Sequence, residues 1–209
     1  MSVTKLNNSL IEHKLAILRN KNTGTKEFRE LVSEVAVLLC YEIMKDAPLK
    51  TIEIETPMTK MKAKQLEESN YVFMPILRAG MGMVDGIIRV IPNAKFGHIG
   101  IYRNEETLEA IRYYYKAPSN LIDKTVIILD PMLATGGSAV DTIKALKEDG
   151  VKNIKILTII AAPEGLEKVN RAYPEVSIYT AAIDSHLNEI GYIVPGLGDA
   201  GDRIFGTNS

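Results

Sequence analysis

The run Asp130-Pro-Met-Leu-Ala-Thr-Gly-Gly-Ser138 carries the clearest chemistry in the chain. Thr135 and Ser138 bring hydroxyl donors, while Gly136 and Gly137 let backbone N–H groups come close to an anion. The segment that follows has Val140, Ile143 and Leu146 at helical spacing, so the positive end of a helix dipole faces the same place. The run lacks the Gly-Lys-Ser/Thr ending of a triphosphate loop and the G-x-G-x-x-G spacing of a dinucleotide fold. A monophosphate is therefore the indicated guest. Asp130, just ahead of the cradle, is placed to accept hydrogen bonds from vicinal sugar hydroxyls.

Two further segments suit anions and planar rings. In Pro75-Ile-Leu-Arg-Ala-Gly-Met-Gly82, Arg78 sits beside Gly80 and Gly82, and Arg103 ends the run His98-Ile-Gly-Ile-Tyr102. Two arginines at strand ends can grip a second phosphate group. The tail Ile193-Val-Pro-Gly-Leu-Gly-Asp-Ala-Gly-Asp-Arg203 holds three glycines and a proline, which reads as irregular chain lining a pocket with backbone groups. Such a slot pairs edge-on with a heterocycle of alternating carbonyl and imino groups, and Asp199 and Asp202 are its acidic members. His13, His98 and His186 share no spacing that would make a relay.

The elements that must position these residues follow from periodicity. Lys26 to Asp46 repeats apolar residues at helical spacing, with Cys40 beside the stripe as a buried small hydrophobe. Short β-rich runs at Thr51–Glu55, Tyr71–Ile76, His98–Arg103, Thr125–Asp130, Lys155–Ala162 and Val176–Ile183 alternate with helical or glycine-rich stretches. Strand, loop, helix and strand from Thr125 to Lys155 imply a parallel pair with a right-handed crossover. Ligands of such sheets sit beyond the carboxyl ends of the strands, where the Asp130–Ser138 loop falls. The expected class is α/β, in one domain over residues 1–209.

Composition narrows the partners. The 209 residues carry 25 Lys+Arg against 26 Asp+Glu, a formal net charge of −1, so a polyanion must be held locally. No nucleic-acid partner is expected from that balance, and no membrane partner from apolar runs this short. A lone cysteine gives no disulfide framework, and Lys5, Glu12, His13 and Lys14 interrupt the first eighteen residues, so the cytoplasm is expected.

Asp130–Ser138, Pro75–Gly80, Tyr102-Arg103 and Gly196–Arg203 together resemble, in order, the signatures of the type I phosphoribosyltransferases in their uracil branch. The resemblance implies that family's twisted, mostly parallel central sheet flanked by helices, with a small hood built largely by the C-terminal region. It implies transfer of the 5-phosphoribosyl group from phosphoribosyl diphosphate (PRPP) to uracil, giving UMP and diphosphate, with Mg²⁺ as cofactor. PRPP falls to Arg78, Arg103, Asp130, Pro131, Met132, Leu133, Ala134, Thr135, Gly136, Gly137, Ser138 and Asp199. Uracil falls to Ile193, Gly198, Asp199 and Ala200, within a recognition tail over residues 184–209, and the catalytic group is Asp130, Asp199 and Arg103.

Many members of the family carry two adjacent acidic residues at the head of the PRPP signature, whereas Pro131 follows Asp130 here. Direct metal ligation from this loop is accordingly not expected, and Mg²⁺ would rest on substrate oxygens and water. Asn104–Lys116, between two strand-like runs, is the candidate lid, with Arg112 reaching the diphosphate when closed, and the resemblance also implies a non-proline cis peptide around Leu77-Arg78-Ala79. A homo-oligomer, with the amphipathic N-terminal region as an interface, and a GTP effector complete the expectations. The alternative is an RNA-binding pyrimidine-operon regulator on the same fold, which would need a basic face that the sequence does not show.

Overall fold

The computed structural model describes residues 2–103 and 110–207, with Arg103 and Ala110 described in their backbone alone. The chain enters through β1 (Val3–Lys5) and α1 (Ser9–Arg19), whose first turn is capped by the Asn8 side chain accepting from Leu10 N–H at 2.8 Å. Helix α2 (Thr25–Met44) matches the expected amphipathic segment and buries Phe28, Leu31, Val32, Val35, Leu39 and Ile43. Cys40 lies among them, its thiol pushed up to about 12 by burial, and has no chemistry to offer. Ile11, Leu15 and Leu18 of α1 are buried against the same core. That stripe packs inside the chain, while Leu10 and Tyr41 of the same region stay exposed.

One expectation changes. Thr51–Glu55 is a strand, but it belongs to an antiparallel hairpin of β2 (Leu49–Glu55) and β3 (Lys60–Leu66) that stands apart from the main sheet. One face of the hairpin carries Glu53, Glu55, Lys60, Lys62 and Lys64 and the other Ile52, Ile54, Met61 and Ala63, so the pair is two-faced and cannot be buried on both sides as the central strands are.

The central strands follow: β4 (Tyr71–Leu77), α3 (Met81–Val90), β5 (Lys95–Phe96), β6 (His98–Arg103), β7 (Ala110–Lys116) and β8 (Thr125–Leu129). Residues Asn104–Glu109 of the expected lid lie outside the described residues, and its remainder is β7, paired antiparallel to β6. The chain continues through β9 (Met132–Leu133), α4 (Gly137–Glu148), β10 (Asn153–Ala161), α5 (Pro163–Ala172), β11 (Ser177–Ile183), β12 (His186–Leu187), β13 (Ile193–Val194) and α6 (Ala200–Phe205). The tail is therefore less irregular than its glycines suggest, since it contains a strand and a helical turn.

Among the described residues the main sheet has nine strands with a backbone order β1-β11-β10-β8-β4-β6-β7, parallel except at β6–β7. Alternate residues of the central strands feed two cores. Phe73, Ile127, Leu129 and Leu157 pack with α2 and α3, while Val72, Met74, Ile128 and Ile156 pack with α4 and α5. Burial on both faces explains why β4 and β8 read as continuous apolar runs.

Helix α3, which carries the chain away from the Arg78 loop, lies directly on α2. A Cβ at Gly86 would fall well inside contact distance of the Ser33 carbonyl oxygen, a backbone atom that cannot swing aside. Gly86→Ala should therefore cost about 1–3 kcal/mol through forced separation of the helices. Urea unfolding measures it; a loss under about 0.5 kcal/mol would show that the two helices are not locked there.

Candidate functional site

Strands β4, β8, β10 and β11 run parallel, so the segments that leave them gather at one edge. The segment after β8 lines a cleft of about 100 Å³ with Asp130 and residues 132–139. Within it, Met132 and Leu133 form β9 and pair with Ile160 and Ala161 of β10. The Pro131 carbonyl accepts from the Ile159 and Ile160 N–H groups at 3.1 Å. Leu133 has its side chain in the core. These three expected ligand residues shape the loop; the cradle proper is Ala134 to Ser138.

Gly136 adopts φ 75° and hands over to α4, which has no side-chain cap. The first residues of α4 thus line the cleft, and the N-cap glycine has no side chain to cover their N–H groups. Thr135 bends back over the turn, its hydroxyl oxygen 3.5 Å from Gly137 N. A Cβ at Gly136 would lie 2.8 Å from the Gly165 carbonyl oxygen, and one at Gly165 would lie 2.8 Å from that of Leu133. Two glycines therefore let α5 rest backbone to backbone on the cradle. One turn beyond Gly165, the Lys168 ammonium stands 3.6 Å from where a Gly137 Cβ would be. Sequence reading missed this cation; its signal was Pro163-Glu-Gly-Leu-Glu-Lys168, directly after the neighbouring strand.

The segment after β4 makes the second wall. The Leu77–Arg78 peptide is cis, as expected, and Gly80 packs so tightly that a Cβ would sit 2.5 Å from the Leu129 carbonyl oxygen. Arg78 is 58% exposed and is seated by the tail. Its Nη2 donates to Asp202 Oδ1 at 3.3 Å, its Nη1 to Thr207 Oγ1 at 3.4 Å, and its guanidinium lies 6.0 Å from the Phe205 ring centroid. The pair is long and solvent-facing, so an anion of higher charge can displace Asp202. Arg103 closes β6, but its side chain lies outside the described residues. Arg112 is on β7 over the Tyr115 ring, 5.4 Å from its centroid.

The tail is the third wall. Ile193, Leu197 and Ala200 bury their side chains, leaving backbone for any ligand, whereas Gly198 and Asp199 are exposed. Asp199 is also the N-cap of α6, its Oδ1 accepting from Asp202 N–H at 2.9 Å. The cradle and tail meet where Thr135 Cγ2 lies 3.6 Å from a Cβ position on Gly191. The structure thus brings Arg78, the cradle, and Ile193–Asp202 to one edge. His13, His98 and His186 lie on α1, β6 and β12 and form no group.

Asp130 carries the clearest electrostatic signal. Burial pushes its carboxyl up to about 7, against the pull of the Met132 N–H at 3.3 Å. Because the folded value is raised, the native state holds the extra proton, and stability falls as pH climbs from about 4, the unfolded carboxyl value, to about 7. Asp130→Asn should flatten that decline in urea unfolding. In the native protein the Asp130 carboxyl carbon should titrate in NMR with a midpoint near 7; a midpoint near the usual carboxylate value would remove the effect.

Comparison with known proteins agrees with this geometry. The family model for uracil phosphoribosyltransferase matches residues 5–207. A protein of that name from Geobacillus sp. (strain WCH70) is 60% identical over 198 residues, covering 95% of each chain. Another from Clostridium novyi (strain NT) is 56% identical over 205 residues, covering 98% of each. The solved structure of the AQ2163 protein from Aquifex aeolicus superposes with a TM-score of 0.93 at 41% identity, covering 97% of each chain. At the level of fold alone, the adenine phosphoribosyl transferase of Trypanosoma brucei, solved in complex with AMP, pyrophosphate and ribose-5-phosphate, gives a TM-score of 0.60 at 12% identity, covering 87% of this chain and 83% of that one. With a family match along almost its whole length, and an uncapped helix start, a seated arginine and a backbone-lined tail at one sheet edge, the chain belongs to the uracil phosphoribosyltransferase family.

Proposed function

We propose that this protein transfers the 5-phosphoribosyl group of PRPP to uracil, releasing UMP and diphosphate. The observation that carries the reading is the uncapped start of α4 beneath Thr135–Ser138, set between the Arg78 loop and the tail. In this reading Ala134–Ser138 and Lys168 hold the 5-phosphate, Asp130 accepts from the ribose hydroxyls, and Arg78 and Arg103 hold the diphosphate. The backbone of Ile193 and Gly198–Ala200 faces the uracil edge, with Asp199 between base and PRPP. Residues 1–209 act as one domain with residues 184–209 as the recognition tail.

The C1–oxygen bond to diphosphate breaks as the bond from C1 to uracil N1 forms, and the N1 proton passes to the released diphosphate or to water. Ribose passes through a cation-like state, so the protein's task is to steady the departing anion and keep water away. Arginines at the leaving group do the first; the tail folded over the cradle does the second. A magnesium ion bound with PRPP would neutralise diphosphate charge. Asp130 and Asp199 are the carboxylates that could face such an ion through water, as suits a hard cation that keeps its waters. Cytoplasmic location rests on the lone cysteine and the charged N-terminal stretch, and a homo-oligomer and a GTP effector on the resemblance. Among the described residues no helix is long and apolar enough to cross a membrane.

Incubating the protein with PRPP, Mg²⁺ and uracil, cytosine, adenine or guanine, and separating the nucleotides, tests the reading. UMP should form at least about 100-fold faster than any other nucleotide, since a slot built to hydrogen-bond one edge rejects another. Preference for a different base, or none, would overturn it. The cradle has its own test. A Cβ at Gly137 would meet nothing closer than 3.6 Å, so Gly137→Val is expected to fold while its γ-methyls close the cleft to phosphate. Calorimetry should show PRPP affinity reduced at least about 100-fold; unchanged affinity would move the phosphate elsewhere.

A further inference from the structure

The loop between the two proposed uracil contacts is held from outside the sheet, by side chains remote in sequence. Asp184 follows β11 and is 8% exposed. Its Oδ1 accepts from Arg19 Nη2 at 2.6 Å, and its Oδ2 accepts from Arg19 Nη1 and from Gly196 N–H, each at 2.8 Å. Arg19 Nη1 also donates to the Gly196 carbonyl at 2.8 Å. One ion pair thus binds both main-chain polar groups of Gly196. That residue has φ 64°, and a Cβ on it would lie 3.0 Å from the Ile193 carbonyl carbon, so the loop is folded tightly back on itself.

The hold is reciprocal. Arg203 of α6 reaches back to the end of α1, its Nη1 donating to the carbonyls of Leu18 at 2.6 Å and Leu197 at 2.8 Å, and its Nη2 to that of Asn20 at 2.7 Å. Its guanidinium lies 4.1 Å from the centroid of the Phe28 ring, and burial lowers its pKa. One arginine ends α1 and holds the tail; the other belongs to the tail and holds the end of α1.

We infer that Arg19, Asp184 and Arg203 form a clasp of positioning residues that fixes the distance between Ile193 and Gly198–Ala200, and so sets which base the tail accepts. This rests on the reading of the tail as the uracil site. Edge-on recognition by backbone donors and acceptors works only if those groups hold their places within about half an ångström. Glycine-rich chain cannot do this alone. Burying a charged pair carries a desolvation cost, and here that pair is used where the chain is otherwise least constrained. Lysine cannot replace Arg19, because a point charge cannot span two carboxylate oxygens and a carbonyl together.

The test compares Arg19→Lys and Asp184→Asn with the native protein. Each should raise KM for uracil at least about 10-fold and cut the preference for uracil over cytosine by a similar factor, while KM for PRPP stays within about twofold. Amides of residues 194–198 should exchange hydrogen faster, while those of residues 135–139 keep their protection. A uracil KM that does not move, or KM values for uracil and PRPP that rise together, would overturn the clasp. If either variant fails to fold, Arg203→Lys tests the reciprocal half by the uracil-over-cytosine preference and the exchange at residues 194–198, either of which overturns the clasp if unchanged; PRPP KM is not its readout, because α6 also seats Arg78. Should the native protein not use uracil at all, the functional reading falls, and the exchange pattern alone decides the clasp: unchanged exchange at residues 194–198 overturns it.

Discussion

Parallel pairing of β4, β8, β10 and β11 is the constraint on which the rest depends. Parallel strands end at one edge, and every chain segment that leaves them must turn there before a helix or return can begin. The turns leave backbone N–H and C=O groups without ladder partners, concentrated within one region. A chain of net charge −1 can hold a highly charged sugar phosphate only if its donors are gathered in this way. The start of α4 supplies backbone N–H groups without adding a formal charge, Lys168 adds a cation beside it, and Arg78 adds one on the loop after β4.

The geometry also divides the labour. Where an anion must come close, the chain uses small residues that bring backbone to backbone, as Gly136 and Gly165 do between cradle and α5. Where a charged side chain must be aimed, a second element holds it: α6 seats Arg78 through Asp202 and Thr207. The same six-residue helix has Asp199 at its start and Arg203 within it, so Arg78, the tail and the end of α1 share one support. Movement of α6 would be felt at both substrates.

What could be read in the sequence was local. The strand, Thr-Gly-Gly-Ser turn and helix from Thr125 to Glu148 lie within one short stretch, and their residue types state their own geometry. The long apolar period of α2 was equally plain. What stayed hidden was the partner of each polar group. Arg19 and Asp184 are 165 positions apart, and Arg78 and Asp202 are 124 apart; only the folded sheet brings them together. Helix α6 escaped notice because six residues that include a glycine show no periodicity. The β2–β3 hairpin was misplaced because its β-branched residues suggest a strand without saying which neighbour it pairs with.

The central claim is that phosphate and base are held at once, the first by the start of α4 and the second by the backbone of the tail. The most direct measurement is a diffraction structure of the protein crystallised with UMP. The account predicts the nucleotide phosphate on the backbone N–H groups of Thr135–Ser138, the ribose hydroxyls on Asp130, and the uracil edge on the main chain of Ile193 and Gly198–Ala200. A phosphate bound away from the cradle, or a base turned out of the tail while the phosphate stays in place, would contradict it.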